Sequence, residues 1–166
     1  MTQPMSANDN PDSLNSRLHI ILAERRADVR SALRLLLEEI VLLTVDAEVN
    51  SLRELKIQLK RKCPNLILLD FGLSRYGVMR ALVQLRALCP NVRIVIIDGT
   101  EETRQESMDA GADDFIIKGC QPDRLIEVLK KTCLKCGVTE IMTPEKSGEI
   151  SALLSEPVTT PFPSVG

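Results

Sequence analysis

Several charged side chains in this sequence stand directly after a short apolar run. The clearest case is Asp70, which follows the apolar residues 66–69 and precedes a turn at Phe71 and Gly72. A carboxylate becomes a useful nucleophile when nearby cations offset its charge. The chemistry of the chain therefore depends on which other charged groups meet Asp70. Four further charged residues also end apolar runs: Glu24, Arg25, Asp98 and Lys118.

The segments that carry these residues alternate between strands and helices. An apolar run of four residues between Pro64 and Gly72 is typical of a strand buried on both faces. Amphipathic stretches such as residues 27–39 and 78–88 predict helices between the strands. We predict strands at residues 18–23, 41–49, 65–70, 92–98 and 115–118.

Alternating strands and helices predict an α/β fold with a parallel sheet covered on both faces. The doubly wound, flavodoxin-like strand order 2-1-3-4-5 fits five such units in this length. In that order strands 1 and 3 are neighbours, so Glu24 and Arg25 should meet Asp70 in one crevice. Asp98 and Lys118 would reach the same edge from strands 4 and 5.

Composition limits the domain organisation and the class of protein. The 166 residues suit one domain, which we place at residues 17–136, between a disordered segment at 1–16 and a flexible tail at 137–166. A net charge of −2 disfavours direct binding to nucleic acid. No apolar run is long enough for a membrane span and no signal peptide is evident, so we expect a cytoplasmic protein.

The five cysteines and the single histidine give little sign of enzymatic chemistry. We expect all cysteines to be reduced, with Cys63 and Cys89 packed as small apolar residues. Cys133 and Cys136 have metal-site spacing but no second pair, with Cys120 the one candidate third ligand, so ordinary thiols are favoured. A hydrolase would need a nucleophile with a base beside it, which the sequence lacks. We therefore expect no enzymatic activity.

Four stretches together give a resemblance to a known family. In order and spacing they are similar to the CheY-like receiver domain of bacterial two-component response regulators, over residues 18–135. In that family the aspartate ending strand 3 accepts a phosphoryl group from a partner's histidine, with magnesium bound beside it. The matching stretches are residues 20–24, 63–70, 110–118 and 122–125.

The resemblance implies roles for particular residues. Asp70 would be the phosphoacceptor, and Lys118 would contact the phosphoryl oxygens. Glu24, Asp70 and the backbone carbonyl of Gly72 would hold Mg²⁺. Phe115 occupies the position of an aromatic switch residue but has no hydroxyl group. The implied partners are a sensor histidine kinase or phosphotransfer protein and a downstream protein target, and self-pairing into a homodimer stays open.

Two residues depart from the family pattern. Arg25 replaces the second acid of strand 1, and Asp98 replaces the small hydroxyl residue that ends strand 4. We expect Arg25 to bridge Asp70 and Asp98, which would balance the charge without metal. Two functions therefore remain open. One is a receiver that is phosphorylated on Asp70 and signals by protein contact, and the other is a pseudo-receiver that binds partners independently of phosphorylation.

Overall fold

The computed structural model describes residues 17–41, 43–74 and 77–134, without the side chains of Cys133 and Leu134. The predictions for residues 1–16 and 137–166, and for Cys136, lie outside this part of the chain. The strands are β1 Leu18–Ala23, β2 Leu43–Val49, β3 Leu66–Asp70, β4 Arg93–Asp98 and β5 Asp114–Ile117. The helices are α1 Ala27–Glu38, α2 Leu52–Arg61, α3 Val78–Leu88, α4 Thr103–Asp109 and α5 Pro122–Leu134.

The strands form one parallel sheet in the order β2-β1-β3-β4-β5, which confirms the predicted fold class. Every residue of β3 is buried, as its continuous apolar sequence predicts for the central strand. One apolar cluster packs on each face of the sheet. Full burial of one such aliphatic side chain contributes about 1.5–3 kcal/mol. The strand ends are therefore held at fixed positions on a rigid core.

Local signals set the ends of the helices. The hydroxyl oxygen of Ser51 accepts the backbone N–H of Glu54 at 3.3 Å, so Ser51 caps the start of α2. Gly111 has φ of 93°, a backbone conformation that favours glycine, directly after α4. No helix in the described part of the chain combines the length and apolar composition that a membrane crossing requires.

The cysteine prediction is wrong for one pair, because Cys63 and Cys89 form a disulfide. Their Cα atoms lie 5.7 Å apart although 26 positions separate them in the sequence. The cause is the sheet, since β3 and β4 are neighbours and each cysteine stands just before one of them. Asn65 O accepts the N–H of Arg93 at 3.0 Å, which aligns the two strand entrances.

Candidate functional site

Three of the predicted residues meet at the carboxyl edge of the sheet. Lys118 Nζ lies 2.8 Å from Asp70 Oδ1 and 2.7 Å from Glu24 Oε2. Glu24 is completely buried and Asp70 is 3% exposed. One ammonium group thus pairs with two buried carboxylates and offsets part of the repulsion between them.

The strand register explains why these side chains meet. Ala23 pairs with Leu69, so Glu24 and Asp70 follow neighbouring positions on β1 and β3. Lys118 follows the last residue of β5, and its backbone N–H donates to the carbonyl of Asp98 at 2.6 Å. The lysine side chain is long enough to extend from β5 to the centre of the sheet. Burial lowers the pKa of Lys118, but its contacts with the two carboxylates outweigh burial, and the pKa is raised above its ordinary value.

Glu24 is fixed by the start of the following loop. Its Oε1 accepts the backbone N–H of Arg26 at 2.8 Å, and its carbonyl oxygen accepts a guanidinium N–H of Arg30 at 2.8 Å. The Oε2 atom touches Lys118 as an ion pair but accepts no hydrogen bond from a described residue. Glu24 therefore presents a buried oxygen whose coordination is incomplete.

The two oxygens of Asp70 have different surroundings. Oδ1 accepts the backbone N–H of Gly72 at 3.1 Å and an N–H of Lys118 at 2.8 Å. No described residue donates a hydrogen bond to Oδ2. A Cβ atom at position 72 would lie 3.3 Å from Oδ2, a close contact that glycine avoids. Oδ2 is thus the Asp70 oxygen that could act as a nucleophile.

The donor groups present fit Mg²⁺, although the set is small. Mg²⁺ prefers oxygen ligands, keeps several waters and is commonly bound by one or two carboxylates. Glu24 and Asp70 supply two carboxylates, and the incomplete coordination of Glu24 Oε2 suits a cation. Among the described residues no group of three acidic, histidine or cysteine side chains is arranged to hold a metal.

The structure does not show the predicted bridge from Arg25 to Asp70 and Asp98. Arg25 is exposed, and within the described residues its side chain makes no ion pair. Asp98 Oδ2 instead accepts the hydroxyl of Thr103 at 2.7 Å and lies 3.5 Å from the hydroxyl of Thr100. Arg25 follows the strand end and keeps its guanidinium hydrated, while Lys118 provides the cation within the pocket.

Arg104 is a residue that the sequence analysis missed. Its guanidinium carbon lies 4.7 Å from the centre of the Phe115 ring, and it donates to the Phe115 carbonyl at 3.5 Å. Arg104 is also paired with Glu101, three residues earlier. Phe115 is 1% exposed, so the predicted switch position is a core residue covered by a cation. In the sequence, the three-residue spacing of Glu101 and Arg104 indicates an ion pair between them, but it does not indicate the contact of Arg104 with Phe115.

Comparison with known proteins agrees with this geometry. The family model described as "Response regulator receiver domain" matches residues 20–130. The chemotaxis protein CheY of Thermotoga maritima is 28% identical over 109 residues, which cover 63% of this chain and 91% of CheY. The transcriptional regulatory protein YxjL of Bacillus subtilis is 27% identical over 116 residues, which cover 69% of this chain and 53% of YxjL. The chain thus spans most of CheY but about half the length of YxjL.

Solved structures show the same fold. A LuxR-family response regulator from Aurantimonas sp. SI85-9A1 superposes with a TM-score of 0.64 at 23% identity, covering 85% of this chain and all of the other. The isolated receiver domain of RcsB from Salmonella enterica gives 0.63 at 18% identity, covering 84% and 99%. The family model covers well over half of the sequence, and the parallel sheet and its strand order are those of its members. The chain therefore belongs to the response regulator receiver domain family.

Proposed function

We propose that this protein accepts a phosphoryl group on Asp70 and signals by contact with a partner protein, as part of a two-component phosphorelay. The observation that carries the proposal is the arrangement of Asp70. Its Oδ1 is held by Lys118 and Gly72, while Oδ2 accepts no hydrogen bond from the described residues. A fixed nucleophile with one free oxygen beside a lysine suits phosphoryl transfer.

In the proposed reaction, Oδ2 attacks the phosphorus of a phosphohistidine on a sensor kinase or phosphotransfer protein. A P–O bond forms and the P–N bond breaks, and the imidazole nitrogen leaves with the electron pair. Lys118 would then exchange its contact with Asp70 for the phosphoryl oxygens and stabilise their negative charge. Glu24 would keep the lysine oriented during this exchange.

Glu24, Asp70 and the carbonyl of Gly72 would hold Mg²⁺ in this site. When bound, the cation supplies positive charge next to the phosphoryl oxygens. With only two carboxylates available, we propose weak binding of the metal by the free domain.

Phosphorylation would alter the surface near the site through added charge. The proposed output surface is formed by α4, β5 and α5, on which Arg104 covers Phe115. Lys118 connects the end of β5 directly to Asp70, so a change of its contacts would be transmitted to this surface. A downstream protein that distinguishes the two states would bind there.

Mass spectrometry after incubation with acetyl phosphate and Mg²⁺ tests this proposal. We expect the mass of one phosphoryl group to be added to the wild-type chain and none to the Asp70→Asn variant. Beryllofluoride should change the spectrum of the wild-type chain and leave that of the Asp70→Asn variant unchanged. If the wild type shows neither the mass gain nor the beryllofluoride response, phosphorylation is excluded as the function.

A pseudo-receiver is the second candidate, and specific observations favour it. Lys118 already pairs with both carboxylates without any phosphate, and Asp98 supplies a carboxylate in place of a hydroxyl. If the wild type is inert, the double variant Arg25→Asp/Asp98→Ser should take up phosphate. Arg61→Asp is the control. It makes the same arginine-to-aspartate change as Arg25→Asp, but at the far end of α2 and away from the site, so this variant should stay inert. An inert double variant would show that these two departures are not the cause.

A further inference from the structure

We propose that the Cys63–Cys89 disulfide is a reversible redox site, at which a dithiol reductant attacks Cys63. This site lies at the opposite edge of the sheet from Asp70, so the inference does not depend on phosphorylation. It concerns a covalent modification of the same domain.

The two cysteines belong to matching tripeptides. Cys63-Pro64-Asn65 leads into β3, and Cys89-Pro90-Asn91 leads into β4. Cys63 also follows the end of α2 and Cys89 the end of α3. The disulfide therefore ties two helix ends together at the point where two central strands begin.

The two sulfurs differ in access. Cys63 is an exposed residue, whereas Cys89 is 1% exposed. Both line an open cavity of about 510 Å³, together with the two prolines and Arg86. A thiol group can enter this cavity and approach the bond from the Cys63 side. Thiol–disulfide exchange depends on such access, and accessible disulfides are the labile ones.

The surrounding backbone suits the reduced form as well. Leu59 O lies 4.0 Å from Cys63 Sγ and 3.8 Å from Cys89 Sγ, and Leu88 O lies 3.6 Å from Cys63 Sγ. After reduction each thiol would have a carbonyl acceptor within reach, so the buried Cys89 thiol would not be left without a partner. The same fold thus accommodates both oxidation states, which a reversible site requires.

The proposed exchange has two steps. A thiolate of the dithiol forms a bond to Cys63 Sγ, the Cys63–Cys89 bond breaks, and Cys89 leaves as a thiolate that takes up a proton. The second thiol of the reductant, as a thiolate, then attacks the reductant sulfur that is bonded to Cys63. The mixed disulfide breaks, and Cys63 leaves as a thiolate that also takes up a proton. The pair gains two electrons and two protons, and the dithiol is oxidised to its disulfide.

Maleimide labelling of the full chain tests reversibility. In a background with Cys120→Ser, Cys133→Ser and Cys136→Ser, the chain is equilibrated without denaturant in buffers of graded reduced and oxidised dithiothreitol. It is then quenched in acid, unfolded in denaturant so that a buried thiol also reacts, labelled with maleimide and weighed. We expect no label on the oxidised chain and two labels on the reduced chain, with an unchanged circular dichroism spectrum. Peptide mapping of the labelled wild type gives the same readout if the triple variant does not fold.

Either of two results would overturn the proposal. Two labels under fully oxidising conditions would show that the pair does not form a disulfide in solution. If the thiols appear only when denaturant is present during equilibration, even in full reductant, the pair is an inert structural disulfide.

Single variants test the position of attack. Cys63 remains in the Cys89→Ser variant, and Cys89 remains in the Cys63→Ser variant. Cys63 should form a mixed disulfide with oxidised glutathione at least about tenfold faster than Cys89, because access controls the rate. Equal rates, or a faster reaction at Cys89, would contradict the assignment of Cys63 as the attacked sulfur.

Discussion

Replacing Lys118 with methionine tests whether one ammonium group balances the charge of the pocket. Methionine keeps much of the length and apolar volume of the side chain but removes the positive charge. The variant would leave the buried carboxylates of Glu24 and Asp70 next to each other without a counterion. We expect a less stable domain at pH 7, because both groups lose their attraction to Lys118 and repel each other.

The geometry gives the size of the effect. Removing one partner of a buried ion pair costs about 3–5 kcal/mol. The Lys118 side chain is 22% exposed, so water reaches the pocket and screens part of the repulsion. We therefore expect the free energy of unfolding to fall by about 2–3 kcal/mol, equivalent to a decrease in Tm of about 10 °C for a domain of this size.

The pH dependence of the stability independently tests the contribution of the Lys118 charge. The pKa of Lys118 is raised in the folded protein, so its stabilising effect is complete below its unfolded pKa, about 10.4. The effect is lost as the pH rises through the folded value, and wild type and variant should converge there.

Urea denaturation at several pH values measures these differences. Lys131→Met is the matched control, because Lys131 also contacts a carboxylate, that of Asp114 at 3.4 Å, but its side chain is 66% exposed. An exposed pair of this kind should change the stability by less than about 1 kcal/mol. If Lys118→Met is no more destabilising than this control at pH 7, our account of charge balance in the pocket is wrong.

Three further outcomes follow from other contacts. Cys63→Ser should lower the stability of the oxidised protein by about 3–4 kcal/mol, from the lost loop of 26 positions, and have little effect in reductant; urea curves in both buffers measure this. Burial raises the pKa of Asp113, but hydrogen bonds from a β4 amide and two arginines lower it by more than burial raises it. The pKa of Asp113 is therefore below its ordinary value. Asp113→Ala should cost about 2–3 kcal/mol at pH 7, a difference that persists above the unfolded pKa near 3.9 and disappears as the pH falls through the folded value in acid titration. Gly72→Ala should slow phosphorylation about tenfold by crowding Asp70 Oδ2, whereas Gly99→Ala, where an added Cβ meets nothing within 4 Å, should leave the rate of acetyl phosphate labelling unchanged.

The candidate site was partly predictable because strand ends can be identified from sequence. Four of the five predicted strands end at or directly before a charged residue, and a parallel sheet brings such ends to one edge. This reasoning placed Glu24, Asp70 and Lys118 together, and the structure shows them in contact. It failed for Arg25 because sequence position identifies the edge of the sheet but not the direction or hydration of a long side chain.

Order and periodicity in the sequence alone determined the fold class, the strand order and the identity of the central strand. Those features follow from backbone geometry and the burial of apolar runs, both of which are encoded locally. Only the tertiary structure decided which cation pairs with Glu24 and Asp70, that Thr103 holds Asp98, and that Cys63 bonds to Cys89. Each of these depends on distances of a few ångströms between residues far apart in the chain or at a turn, and such distances are established only when the helices and strands have packed.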